Sequence, residues 1–134
     1  MKIYSCKAKG RRLAQYVKDT IMLKAKDVTE FDINVVPSSV PGEDLWLSPQ
    51  VRKQLPFTIE CKNTETASVW SWIRQTENRV SNLIPLIVFS RNRSKVYALI
   101  EFEKLLDVIL TRGDNHASKT KTCDETAKAK ASDA

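Results

Sequence analysis

Between residues 57 and 102 the hydrophobic pattern changes period twice, and that alternation limits the fold more than any other feature of the chain. "FTIECK" (57–62) alternates with the period of two expected of a strand. Residues 66–80 then place Val69, Ile73, Thr76 and Val80 on one helical stripe, with Trp70 and Trp72 flanking it. "PLIVFS" (85–90) and "KVYALIEF" (95–102) return to strand character, and the polar turn "RNRS" (91–94) between them predicts a hairpin. Upstream, Leu13, Tyr16, Val17, Thr20, Ile21 and Leu23 recur near the 3.6-residue period, which predicts a helix over 10–25 with Gly10 as its lead-in. "FDINVV" (31–36) and "EDLWL" (43–47) are β-prone and flank the loop "PSSVPG" (37–42). Ser48 and Pro49 suit the N-cap and first position of a short helix over 48–55, and "FEKLLDVIL" (102–110) reads as a closing helix. The order α, β, β, short α, β, α, β, β, α predicts an α/β fold, a mixed central sheet flanked by helices.

The chain has 134 residues, 42% of them hydrophobic, which suits one domain with a sizeable core over residues 1–110. From Thr111 it is rich in Lys, Thr, Ala and Asp and almost free of large apolar residues. Such a stretch cannot bury enough surface to offset its ordering entropy, so 111–134 is expected to be a disordered tail, with its lysines matched by acids. No apolar run is long enough for a membrane span, and "MKIYSCKAKGRR" lacks the apolar core of a secretory signal. Cys6, Cys61, Cys123 and His116 have no zinc-site spacing and read as the reduced thiols and lone histidine of a cytoplasmic protein. Charge is unevenly spread. Residues 1–26 hold eight Lys or Arg against Asp19 alone, whereas the whole chain is only +6. A basic segment on a near-neutral body is the footprint of a polyanion partner, most often nucleic acid.

The chemistry-bearing group lies in the strand 57–62. Alternation sends Phe57, Ile59 and Cys61 to one face and Thr58, Glu60 and Lys62 to the other, so a carboxylate and an amine project from one face about 7 Å apart. If strands 43–47 and 57–62 pair antiparallel through the short helix, Asp44 comes to lie beside Glu60. Two adjacent carboxylates repel unless a cation sits between them, and a hard divalent ion resolves that conflict. Lys62 then suits the positioning of an attacking water and the neutralisation of developing charge. Glu43 is a spare carboxylate whose alternation points it away from Asp44.

The pattern of Asp44, fifteen intervening residues and Glu60-Cys61-Lys62 resembles the PD-(D/E)XK nuclease superfamily. The run "GEDLWLSP…PFTIECKN…W…Q…PLIVFSRNRSKVYALIEF" is most similar to small phage-type members related to archaeal Holliday junction resolvases, and "KGRRLAQYV" is similar to the resolvases' Lys-Gly helix start. The likeness spans roughly residues 9–106. It implies a restriction-endonuclease-like core, with Asp44 and Glu60 as metal-binding carboxylates, the Cys61 backbone carbonyl as a further ligand, Lys62 as catalytic lysine and Gln75 as the glutamine many members hold near the site. The first helix lacks the family's usual glutamate, leaving Gln15 as the candidate there, and Gly42-Glu43 replaces the family's proline step.

The resulting expectation is a Mg²⁺- or Mn²⁺-dependent endonuclease, phage-encoded and acting in the host cytoplasm, that hydrolyses branched or double-stranded DNA with a preference for junctions. Lys9, Arg11, Arg12 and Gln15, with Arg91, Arg93 and Lys95 at the hairpin tip, are the candidate DNA contacts, because basic side chains dominate phosphate binding. The hairpin-tip cations equally suit plain turn punctuation. Trp46, Trp70 and Trp72 suit core or interface packing better than base stacking. A homodimer is expected, since paired cuts need two active sites. A sequence-specific homing or restriction-type endonuclease and a non-catalytic DNA-binding module on the same fold stay open as alternatives.

Overall fold

The computed structural model describes residues 3–79 and 81–117. Its first unit, ending at Ile100, is built on a five-stranded sheet in the order β1-β2-β3-β4-β5. The strands are β1 (Ile33–Val35), β2 (Leu45–Leu47), β3 (Phe57–Asn63), β4 (Ile84–Ser90) and β5 (Tyr97–Leu99). β1, β2 and β3 pair antiparallel in sequence, β3 and β4 run parallel along seven residue pairs from Phe57↔Ile84 to Asn63↔Ser90, and β5 returns antiparallel. A parallel neighbour needs a crossover, and α3 (Val69–Glu77) supplies it. The sheet is therefore mixed and carries helices, as the alternation of periods predicts.

Both faces of the sheet are covered, which decides the site's environment. On one, Leu13 and Val17 of α1 (Ile3–Lys24) join Ile33, Leu45, Leu47, Ile59 and Val88 in the main core, together with Val51 of α2 (Pro49–Gln54). On the other, Trp72 of α3 packs on Phe89 of β4 with ring centroids 5.7 Å apart. Phe89 pairs in register with Lys62, so α3 lies over the face that bears Glu60 and Lys62. Thr58 and Glu60 are consequently buried beside Ile59, and strict alternation of inside and outside fails along β3.

Element boundaries depart from the sequence reading in several places. α1 begins at Ile3, not near residue 10, and Gly10 sits within it. One glycine costs about 0.5–1 kcal/mol relative to alanine, which a 22-residue helix tolerates. α2 matches expectation: the Ser48 hydroxyl accepts the Val51 N–H and Pro49 opens the first turn. α3 spans less than 66–80, starting after Ser68, and its buried residues are Trp72 and Thr76. The Thr76 hydroxyl donates to the Ile73 carbonyl at 2.8 Å, which lets a polar residue sit inside. Trp70 is 75% exposed, and the expected stripe residue Val80 lies outside the described residues. β5 is shorter than 95–102, since ladder pairing with β4 covers only Tyr97–Leu99 and α4 begins at Phe102.

The second unit starts at Glu101 and contains α4 (Phe102–Ala117). The helix continues seven residues beyond the expected end at 110. Low burial potential argues against a packed core but not against a local hydrogen-bonded helix, which polar residues sustain. The rest of the expected tail, residues 118–134, lies outside the described residues. Among the described residues no helix is long and apolar enough to cross a membrane.

Candidate active site

Register brings the first carboxylate to the ExK strand. Leu45 pairs with Ile59, which sets Asp44 across from Glu60. The Asp44 N–H donates to the Ile59 carbonyl at 3.0 Å, and its Oδ2 accepts the Cys61 N–H at 2.7 Å. The carboxylate is thus seated on the backbone of β3 between Glu60 and Lys62. Gly42, two residues before it, holds φ of +115°, a conformation that side-chain-bearing residues rarely adopt. The turn that delivers Asp44 therefore depends on a glycine.

Lys62 and Gln75 complete the group. The Lys62 Nζ lies 3.3 Å from Glu60 Oε1 and donates to Gln75 Oε1 at 3.0 Å. Gln75 comes from α3, so the helix covering this face also orients the lysine. Sequence reasoning missed Arg79, just beyond α3. Its Nη2 donates at 2.7 Å both to Glu60 Oε2 and to the Gly42 carbonyl. Its need arises only once β3 is covered, because a buried carboxylate needs more cationic support than one lysine gives.

Electrostatics follow from burial. Burial pushes the Asp44 carboxyl above the ordinary aspartate value, against the Cys61 N–H that lowers it; Glu60 adds repulsion, and Lys62 and Arg79 partly offset it. The Cys61 thiol is pushed up to about 12, by burial first and then by Asp44 and Glu60. It is a neutral thiol at physiological pH, which excludes it as a nucleophile and leaves its backbone as its contribution. Glu43 is engaged elsewhere: Arg52 Nη2 donates to its Oε1 at 2.7 Å and the Thr58 hydroxyl to its Oε2 at 3.3 Å. Arg52 also bonds the Leu47 and Phe57 carbonyls, so this pair fastens α2 to its flanking strands.

The expected DNA contacts fall in two places. Lys7, Arg11, Arg12 and Gln15 of α1 line a groove of about 870 Å³ with Val35 and the loop through Ser39. Gln15 is exposed there, its amide donating to Asp19 at 2.9 Å, and it makes no bond to Asp44 or Glu60 among the described residues. Lys9 is half-buried and does not line the groove, while Arg91, Arg93 and Lys95 are exposed at the β4–β5 turn.

Asp44, Glu60 and Lys62 are thus gathered at one place on β2 and β3. A family model described as "Phage putative PDDEXK endonuclease" matches residues 36–132. The chain belongs to this phage PD-(D/E)XK endonuclease family. No curated protein and no solved structure matches it significantly. The match takes in every member of the Asp44–Glu60–Lys62–Gln75 group and Arg79, begins beyond the whole of α1 and β1, and runs on across α4. In this endonuclease-family chain the donor set suits a hard divalent cation. Asp44 and Glu60 face one another across β2 and β3, and the burial and the Glu60 repulsion that raise the Asp44 carboxyl are both effects that a bound cation opposes. Among the described residues no cluster of three or more His, Cys, Asp or Glu surrounds the position. Two side chains alone leave the remaining coordination positions to water and substrate oxygens.

Proposed function

We propose that the protein is a metal-dependent DNA endonuclease that hydrolyses phosphodiester bonds by in-line attack of water. The observation that carries the reading is the seating of Asp44 on the Cys61 N–H, beside the Glu60–Lys62 pair. Asp44, Glu60 and the Cys61 carbonyl would hold Mg²⁺ or Mn²⁺. Such an ion supplies acidification of water and charge stabilisation at a phosphate oxygen. Lys62, held between Glu60 and Gln75, positions the attacking water and neutralises charge growing on the phosphate. Gln75 fixes the lysine's direction, and α3 shields the site from bulk water.

DNA lies along the groove of Lys7, Arg11 and Arg12, with Arg91, Arg93, Lys95 and Lys9 as further phosphate contacts. The preferred substrate is branched DNA, which rests on the likeness to junction resolvases. The enzyme works as a homodimer in the cytoplasm of a phage-infected host. On α4, exposed Phe102, Ile109 and Leu110 support an association surface.

The test is cleavage of four-way junction, flap and linear duplex DNA with Mg²⁺, beside an Asp44→Asn control. Junction cleavage that requires Mg²⁺ and vanishes in the variant is expected. Cleavage of one linear sequence with junctions ignored would turn the reading to a restriction-type enzyme. Binding without any cutting would turn it to a non-catalytic module.

A further inference from the structure

Glu60 is 5% exposed, and enclosing a carboxylate this far is unfavourable unless cations are placed on it. Two are. Lys62 takes Oε1 at 3.3 Å and Arg79 takes Oε2 at 2.7 Å. The nitrogen that holds Glu60 also holds the Gly42 carbonyl, so one guanidinium ties β3 to the turn that delivers Asp44. Its other terminal nitrogen, Nη1, is buried with no hydrogen-bond partner among the described residues. An unmet buried donor is unfavourable, so this arginine is not an indifferent surface pair.

The charges balance without any metal. Asp44 and Glu60 supply two negative charges, and Lys62 and Arg79 two positive ones. A divalent cation arriving alone meets a site whose carboxylates are already matched, and it must share Glu60 with a guanidinium. A DNA phosphate brings further negative charge and offers Arg79 another acceptor.

Resting on the metal-dependent reading, we propose that Arg79 is a built-in counter-cation. It holds Glu60 in place when no metal is present, and it makes tight divalent-ion binding depend on the arrival of a DNA phosphate. Arg79 acts through Glu60 and the Gly42 turn and is a positioning residue. Linkage requires reciprocity: whatever factor DNA adds to metal affinity, metal adds to DNA affinity. Couplings of this kind amount to about 5- to 150-fold.

The experiment measures Mn²⁺ binding to the full chain by calorimetry and by the Mn²⁺ spin-resonance signal. It is run with and without a duplex whose 3′-bridging oxygens are replaced by methylene groups, which keeps each phosphate's charge and blocks cleavage at that bond. Wild type, Arg79→Lys and Arg79→Gln are compared, each checked for folding by thermal melting. Wild type and Arg79→Lys, which keep the charge, are expected to bind Mn²⁺ weakly alone and at least about fivefold more tightly with the duplex. Arg79→Gln, which removes the charge but keeps an amide donor, is expected to bind Mn²⁺ at least about fivefold more tightly than wild type without DNA and to gain less from it. Equal Mn²⁺ affinity in Arg79→Gln and wild type, or equal shifts in both variants, overturns the proposal and leaves Arg79 a purely structural brace. Mn²⁺ binding that tightens with DNA yet ignores Arg79 sinks this proposal alone. If no protein binds Mn²⁺ even with DNA, the metal-dependent reading falls and takes the proposal with it. Should Arg79→Gln fail to fold, the wild-type cycle decides, because Mn²⁺ that leaves duplex affinity unchanged is incompatible with the coupling.

Discussion

Gln75 accepts a hydrogen bond from the Lys62 ammonium at 3.0 Å, joining the helix over the sheet to the strand beneath it. The lysine is thereby held from two sides, by Glu60 and by this amide. Gln75→Ala should lower kcat about tenfold with little change in KM, since it frees Lys62 without removing it. Lys62→Ala should lower kcat further, and the double variant should match Lys62→Ala, because the two act as a unit. Full additivity in that cycle would show Gln75 acting independently of the lysine.

Gly42→Ala tests the turn before Asp44. An added Cβ would meet nothing within 4 Å, so the penalty is conformational. At φ +115° it should amount to about 1–3 kcal/mol. Relief of that strain would move the Gly42 carbonyl off Arg79 and shift Asp44, so activity per folded molecule should fall as well. A melting shift with unchanged specific activity would show that the turn tolerates the change.

Arg52 separates fastening from chemistry. Arg52→Ala removes two carbonyl bonds and strands Glu43, for a loss of about 1–3 kcal/mol in denaturant unfolding. Glu43→Gln should leave cleavage within a few-fold of wild type. A collapse of activity in Glu43→Gln would make Glu43 a ligand after all.

Asp32 sets a pH dependence of folding. The Thr29 N–H, the Ser48 hydroxyl and the Thr29 hydroxyl hold its carboxyl below the ordinary value of 3.8. A lowered folded pKa stabilises the native state above the unfolded value, and the benefit is lost as pH falls through the folded pKa. Wild type should therefore lose this contribution progressively below about pH 4, while Asp32→Asn should lack that part of the acid dependence. Parallel stability curves for the two proteins would contradict the assignment.

Salt dependence maps the groove. Each phosphate contact contributes a slope of about 0.9 in log affinity against log salt. Replacing Lys7, Arg11 and Arg12 by alanine should flatten the slope by about 3 if all three meet phosphates. An unchanged slope would move the DNA path away from α1.

The mixed sheet and the Asp44–Glu60–Lys62 group were legible because each rests on local signals: period, turn residues and register across one connector. Ser48 and Pro49 marked α2 for the same reason, since capping is decided within four residues. The burial of Glu60 was not legible, because it depends on α3 settling over Phe89 through Trp72, a contact between distant segments. Arg79 escaped for the same reason. Nothing within its own few residues announces that it will reach Gly42, 37 positions earlier. Gly10 reads as a helix lead-in and the polar composition from Thr111 as a helix end, yet in both places the helix runs through, because helix propensity extends beyond the apolar stripe.

The outermost strands β1 and β5 are only three residues each. So little free backbone at either margin gives another chain few amide groups on which to continue the ladder, which protects against open-ended stacking. Any association between copies would then rest on side-chain surfaces and not on continuation of the sheet.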